Sequence, residues 1–220
     1  MRRRGSLFLS LGVLLSAAIT APAQQEVLPY RIWQFHHAKW EYLQQAIPQA
    51  AEAGMNRIQL SHNIVMDAEQ LWQGDKAETE WRQSLVQHSI ELAHQHDMKV
   101  DMWTHEISGL PEGKFRNDKG QVVISEELWD WVRDKYERVF KLVPGLDGLV
   151  LTFSETDYAV FGGGAASDLT PPQRIARLIE VMAEVCAKHD KKLFFRTFVY
   201  EPEEIGFLEA AMEEAAKINE

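Results

Sequence analysis

Five short apolar runs of β-type residues, each followed by a helical pattern, predict an α/β fold of the (β/α)8-barrel type, of which about five strand-helix units are present. Two further observations separate a barrel from a doubly wound sheet. The loops that follow strands are long and polar, whereas the helix-to-strand connections "EAGMN", "QHDMK", "VPGLDG" and "KHDKK" are short. No G-x-G-x-x-G follows the first strand, so nothing marks a dinucleotide fold. In a barrel, function gathers on the loops after the strands.

The elements follow in order. Residues 31–35 ("RIWQF") read as the first strand, and a helix over residues 39–53 ends at Gly54, whose missing Cβ suits a helix C-terminus. Residues 55–60 ("MNRIQL") form the second strand. A helix over residues 78–96 carries Trp81, Leu85, Ile90 and Leu92 at near-helical spacing. Residues 98–103 ("MKVDMW") are the third strand, and the polar, glycine-punctuated residues 109–123 a long loop leaving it. Ser125-Glu126-Glu127 opens a helix that runs to about Leu142, closed by Pro144-Gly145. Residues 148–153 are the fourth strand. After another long loop, Pro171-Pro172 starts a helix that runs to about His189. Residues 193–198 ("LFFRTF") are the fifth strand, and an amphipathic helix over residues 203–218 closes the chain. A complete barrel takes roughly 250 residues, so the 220 residues given are expected to be the N-terminal portion of one.

The first residues predict a compartment. Met1-Arg2-Arg3-Arg4 is a basic segment, residues 7–19 are apolar, and Ala21-Pro22-Ala23 supplies a small-residue cleavage site. The expectation is a signal peptide over residues 1–23 and one domain over residues 24–220, exported to the periplasm or beyond. The apolar run is shorter than the roughly 20 residues that span a bilayer, so no membrane association is expected after cleavage. A formal net charge of -10 argues against nucleic acid as a partner. The single cysteine, Cys186, falls in an apolar helical pattern and is read as a core residue.

The carboxyl ends of the five strands carry the polar chemistry: His36-His37, Ser61-His62-Asn63, Thr104-His105-Glu106, Ser154-Glu155-Thr156-Asp157, and Arg196-Thr197 with Tyr200-Glu201. A barrel brings these five sets to one mouth. A carboxyl group at such a rim is partly desolvated, which raises its pKa and suits it to donate a proton. Trp33, Trp103, Phe153, Phe198 and Tyr200 stand near the same ends and offer flat faces for sugar rings, although a strand aromatic is more often core. Arg196 is the natural partner for a uronate carboxylate or, alternatively, for Glu155.

The segments "LDGLVLTFSETD" (146–157), "HEISGLPEG" (105–113) and "FFRTFVYEPEE" (194–204) resemble the barrel domains of glycoside hydrolases, over about residues 30–204. Within these, they resemble the α-glucuronidase (family 67) and β-hexosaminidase-like group. The resemblance implies a carbohydrate substrate and a general acid at the end of the fourth strand, the place of Glu155. Where related barrels have Asn-Glu or Asp-Glu, this chain has Ser154-Glu155. Hydrolysis of a glycoside requires a second carboxyl group, and Asp157, Glu106 and Glu201 are the candidates within the chain. The expected set is then Glu155 and Asp157 as catalytic residues, with His37, His62, Asn63, His105, Glu106, Arg196, Tyr200 and Glu201 binding substrate.

Two other readings stay open. One is a non-catalytic carbohydrate-binding barrel. The other is a metal-dependent sugar isomerase or hydrolase that would use His36, His37, His62, His105, Glu106 and Glu155. No H-x-H or H-E-x-x-H spacing occurs, and hydrogen bonding to sugar hydroxyls accounts for the histidines, so no metal or cofactor is expected. His88, His94 and His96 fall in one helix or its last turn and are expected to be solvated. Gly162-Gly163-Gly164 lack a following Gly-Lys-Ser/Thr, so they read as a lid or substrate-contacting loop and not a phosphate cradle.

Overall fold

The structure, a computed structural model, describes residues 28–105, 107–153, 160 and 164–218. Its strands, in chain order, are β1 (Ile32–Phe35), β2 (Arg57–Leu60), β3 (Lys99–His105), β4 (Val122–Val123), β5 (Gly148–Thr152), β6 (Ala165–Ala166) and β7 (Lys192–Arg196). The main sheet is parallel and holds the order β1-β2-β3-β5-β7, each strand beside its predecessor in that sheet. A doubly wound sheet reverses its strand order at a switch point. Here the winding runs one way throughout, as in a TIM barrel, and five of its strand-helix units are present. The sheet also curls: Tyr30, just before β1, meets Phe194 of β7 edge to face at 5.3 Å.

The helices are α1 (Trp40–Glu52), α2 (Lys76–Gln95), α3 (Glu126–Leu142), α4 (Pro171–Lys188) and α5 (Pro202–Ile218). Local chemistry fixes their ends. Asp75 accepts from the N–H groups of Ala77 and Glu78, starting α2 two residues earlier than its apolar pattern does. Ser125 caps α3 through the N–H of Leu128. The N–H of Thr170 donates to the Gln173 side chain as α4 begins. The two His-Asp connections share a device: Asp97 and Asp190 take left-handed φ values of 57° and 55°, so each chain turns sharply from helix into strand.

The two faces of the sheet differ because side chains alternate along a strand. Phe35, Ile58, Leu60, Val100, Met102, Leu149, Leu151 and Phe153 are buried on the outer face, packed under helix residues such as Leu43, Ile47, Leu85, Val139, Val181 and Met182. The inner face, in register across the strands, carries Gln34, Arg57, Ser61, Asp101, Trp103, His105, Thr152 and Arg196. Helices thus cover the apolar outer face, while the inner face mixes these polar side chains with Val150 and Phe194.

Several expectations need correction. Trp81 does not join the apolar face of α2 but stands exposed with the Arg82 guanidinium 5.3 Å from its ring. His88, His94 and His96 are exposed, as expected, but His94 also bonds the Asp147 carboxylate at 2.7 Å and the His88 ring lies 5.5 Å from that of Trp40. The loop over residues 109–123 contains the short strand β4, which pairs in parallel with β6. That pair ties the long loop after β3 to the loop after β5. A 3-10 turn over Ala68–Leu71, also unforeseen, lies between β2 and α2. Cys186 is buried, as read.

Candidate functional site

The inner face near the carboxyl ends of β1, β2, β3, β5 and β7 assembles around Trp103. Its indole N–H donates to the Thr152 hydroxyl, which links β3 to β5. The His62 ring meets the indole edge to face at 4.3 Å, and the His36 ring lies 6.3 Å away. The Arg196 guanidinium lies 4.5 Å from the Trp103 ring centroid and 5.2 Å from that of Phe198, a cation–π arrangement spanning two aromatic rings. Trp103 is only 2% exposed, so it is the floor of the mouth and not an open platform for a sugar ring.

His36 and His62 face each other through Nδ1 atoms 2.8 Å apart, so one ring donates and the other accepts. Ser61 stands between them, its hydroxyl 3.3 Å from the Nδ1 of His36 and 3.1 Å from that of His62. The Gln34 amide donates to the same hydroxyl at 3.2 Å. His62 adopts a left-handed φ of 49°, uncommon for a side chain of its size and of a kind that clusters at functional sites. His105, buried at the end of β3, bonds Asp67 at 2.9 Å. Burial would push the Asp67 carboxyl up, but hydrogen bonding and charge from His105, with Lys135 and Ser108 beyond, hold it below the usual range.

The structure thus gathers His62, His105 and Arg196 about one aromatic floor, together with His36. The other expected residues lie apart from that floor. The His37 ring packs on Tyr42 of α1 at 5.0 Å. Asn63 is exposed and its carbonyl accepts from Arg82. Tyr200 and Glu201 sit at the entry of α5, where both N–H groups donate to the Glu204 carboxylate. The Tyr200 ring reaches the mouth only through Phe198, 5.0 Å away. Phe153 is buried on the outer face against Phe195, and Trp33 stacks on Phe35. Glu155, Asp157 and Glu106, and with them the proposed Glu155–Arg196 pair, lie outside the described residues, as do Gly162 and Gly163.

Sequence reading missed Asp67 and the buried set behind it. Glu69, Ser108 and Lys135 form one hydrogen-bonded and ion-paired group. Burial alone would lower the Lys135 pKa, but Tyr136 and Glu69 beside it outweigh burial and raise it. The only sequence signal was a lysine at an inward position of an otherwise apolar stripe on α3. A cavity of about 320 Å3 lined by Asp67, Gln70, Gln73, Gly74 and Gly109 opens beside this group. A larger one, about 630 Å3, is lined by Thr197 and Val199, just after β7, and by Ile205, Leu208 and Met212 of α5. Among the described residues no three His, Cys, Asp or Glu side chains gather within reach of one metal ion, and no helix is long and apolar enough to cross a membrane.

No protein-family model matches the chain, and no curated protein does. Solved structures do resemble it. A GH5_18 protein from Bifidobacterium longum subsp. longum ATCC 55813, in complex with Manb1-4GlcNAc, matches at a TM-score of 0.50 and 11% identity, over 76% of this chain and 43% of that one. A GH138 enzyme targeting pectin rhamnogalacturonan II matches at a TM-score of 0.48 and 10% identity, over 85% of this chain and 23% of that one. The chain therefore spans less than half of either protein. At such identities the likeness to the GH5_18 protein bears on the fold alone, a TIM-barrel-type arrangement shared with a glycoside hydrolase.

Proposed function

We propose that this chain is the N-terminal portion of an exported (β/α)8-barrel glycoside hydrolase acting on polysaccharide-derived material. The observation that carries the reading is the convergence of His36, His62, His105 and Arg196, from four strands, around Trp103 at the carboxyl end of the sheet. Imidazoles pair with sugar hydroxyls, and a planar guanidinium pairs with a uronate carboxylate. The latter favours the acidic sugars of an α-glucuronidase-like activity. Glu155, three residues beyond the end of β5 in sequence, is the proposed general acid, and Asp157 the nearest candidate for the second carboxyl group. His37, Asn63, Glu106, Tyr200 and Glu201 complete the proposed substrate-binding set. Export rests on the basic, apolar and small-residue pattern of residues 1–23.

The test is Glu155→Gln in the full-length protein, assayed on acidic and neutral oligosaccharides. Turnover should fall by at least about 100-fold while binding persists, the scale of losing a general acid. Undiminished turnover would sink the assignment. The second reading is a carbohydrate-binding barrel without catalysis. Wild-type protein that binds oligosaccharide and never cleaves it would select that reading.

A further inference from the structure

The loop between β2 and α2 bounds two cavities that share a residue. The first, of about 320 Å3, is lined by Asp67, Gln70 and Gln73 of that loop and by Gly109. The second, of about 150 Å3, lies between Trp72 and Gln73 of the loop and Trp131, Asp134 and Arg138 of α3. Gln73 lines both, so the two are stretches of one groove. Asp67 ties its near end to the mouth, since its Oδ1 lies 2.9 Å from Nδ1 of His105. The far end reaches Asp134 and Arg138, both exposed on α3.

The groove offers both kinds of surface that a chain of sugar rings needs. Trp72 and Trp131 are half-buried and line the second cavity, where the apolar C–H face of a pyranose can lie on an indole. The Arg138 guanidinium, 4.7 Å from the Trp72 ring centroid, adds donors beside that surface. In the first cavity the Gln70 side chain accepts from the Met66 N–H through Oε1, so its NH2 is the group it can offer a ligand. Gln73 can both donate and accept, and Asp67 accepts, a mixture that suits hydroxyl groups. The Asp67 carboxyl is held below its usual pKa by His105, so it is ionised and repels a uronate. A neutral sugar fits this stretch, in contrast to the unit beside Arg196.

The wall beneath the groove is fixed. Glu69 lines the first cavity and Lys135 the second, and the two form a buried ion pair. The Ser108 hydroxyl donates to Glu69 and accepts from Lys135. A Cβ on Gly109 would collide with the Glu69 side chain, so glycine lets the loop after β3 close against it. A buried ion pair adds little stability over apolar packing. What it supplies here is a loop held at a set position against α3, as a preformed binding surface requires.

We propose that this groove is a second binding tract, which holds the neutral part of an oligosaccharide whose reacting unit lies at the mouth. Trp72 and Trp131 are its stacking surfaces, and Asp67, Gln70 and Gln73 its partners for hydroxyls. The proposal rests on the carbohydrate reading above and adds the direction in which the sugar chain leaves the mouth.

The experiment presents the full-length protein with an array of oligosaccharides from plant and microbial polysaccharides, each as disaccharide and as hexasaccharide. Calorimetric titration then follows for every pair that the wild type retains. The hexasaccharide should bind at least about tenfold more tightly than its disaccharide. That gain should shrink at least about threefold in Gln73→Ala and disappear in Trp131→Ala, with disaccharide affinity unchanged in both. Should Trp131→Ala fail to fold, the double variant Gln70→Ala with Gln73→Ala, at positions open to solvent, decides in its place. Equal affinity for the two lengths, or a gain that survives the variants, overturns the groove and leaves the carbohydrate reading of the mouth standing. Retention of no oligosaccharide overturns both.

Discussion

A Cβ on Gly148 would lie 2.5 Å from the Oδ1 atom of Asp101 and 2.6 Å from the carbonyl oxygen of Lys192. The first strand residue of β5 is thus glycine because the inner face at this level is filled by a carboxylate from β3 and the backbone of β7. Gly148→Ala should destabilise the protein by about 1–3 kcal/mol, the range for overpacking where a backbone atom cannot move aside. Chemical denaturation of the variant at neutral pH checks it, and an unchanged midpoint would show that both Asp101 and the β7 backbone give way.

Asp101 has an unusual environment of its own. Its Oδ2 accepts from Arg57 at 2.6 Å, while Oδ1 is buried with no hydrogen-bond partner among the described residues. Burial pushes its pKa from 3.8 up to about 7, against the pull of the Arg57 charge and hydrogen bond. A folded-state pKa above the unfolded one means that the fold favours the protonated form. Its contribution is therefore fully present below pH 3.8 and is lost as pH rises to about 7. Within that window the wild type should lose up to about 1.4 kcal/mol per pH unit relative to Asp101→Asn, which cannot ionise. Parallel stability–pH curves for the two proteins would rule out the elevated pKa.

The Glu69–Lys135 pair is a different kind of buried charge. Both side chains are nearly inaccessible, and each is satisfied through Ser108 or the other. Lys135→Met should cost about 3–5 kcal/mol because it strands Glu69 in the interior, while the double change Lys135→Met with Glu69→Gln should cost markedly less. Thermal unfolding of the single and double variants checks the coupling. Equal losses in both would mean that the pair does not act as a unit.

The strand-helix alternation and the five strand ends were legible in the sequence because periodicity and loop length record them directly. "QHDMK" and "KHDKK" even announced their turns, each with an Asp that tolerates left-handed backbone. Trp81 was misread because helical spacing alone does not tell which aromatic lies one step off the buried face. The β4–β6 pairing, two residues long in each partner, is too short to leave an alternation pattern. Of the site, His62, His105 and Arg196 could be read from their positions at strand ends. Asp67 and Lys135 could not, since one lies in a turn and the other on a helix, and only tertiary packing brings Asp67 to His105 and Lys135 to Glu69. His37 shows the limit within a strand end itself: one residue of register sends it to Tyr42 while His36 turns to His62.

Arg196 offers the sharpest functional test at the mouth. Its planar guanidinium lies 4.5 Å from the ring centroid of Trp103 and 5.2 Å from that of Phe198. If the substrate is a uronic-acid-containing oligosaccharide, as we propose, that plane meets the carboxylate through two parallel N–H donors. Arg196→Lys keeps the charge but removes both the stacking and the fork, and should weaken binding of the acidic ligand by about tenfold or more, equivalent to roughly 1.4 kcal/mol. Affinity for a neutral oligosaccharide of the same backbone should change little. Calorimetric titration of both ligands into both proteins gives the answer. A loss shared equally by the two ligands would make Arg196 a structural clamp on Trp103, and the loss confined to the acidic one marks it as the specificity-determining cation of the mouth.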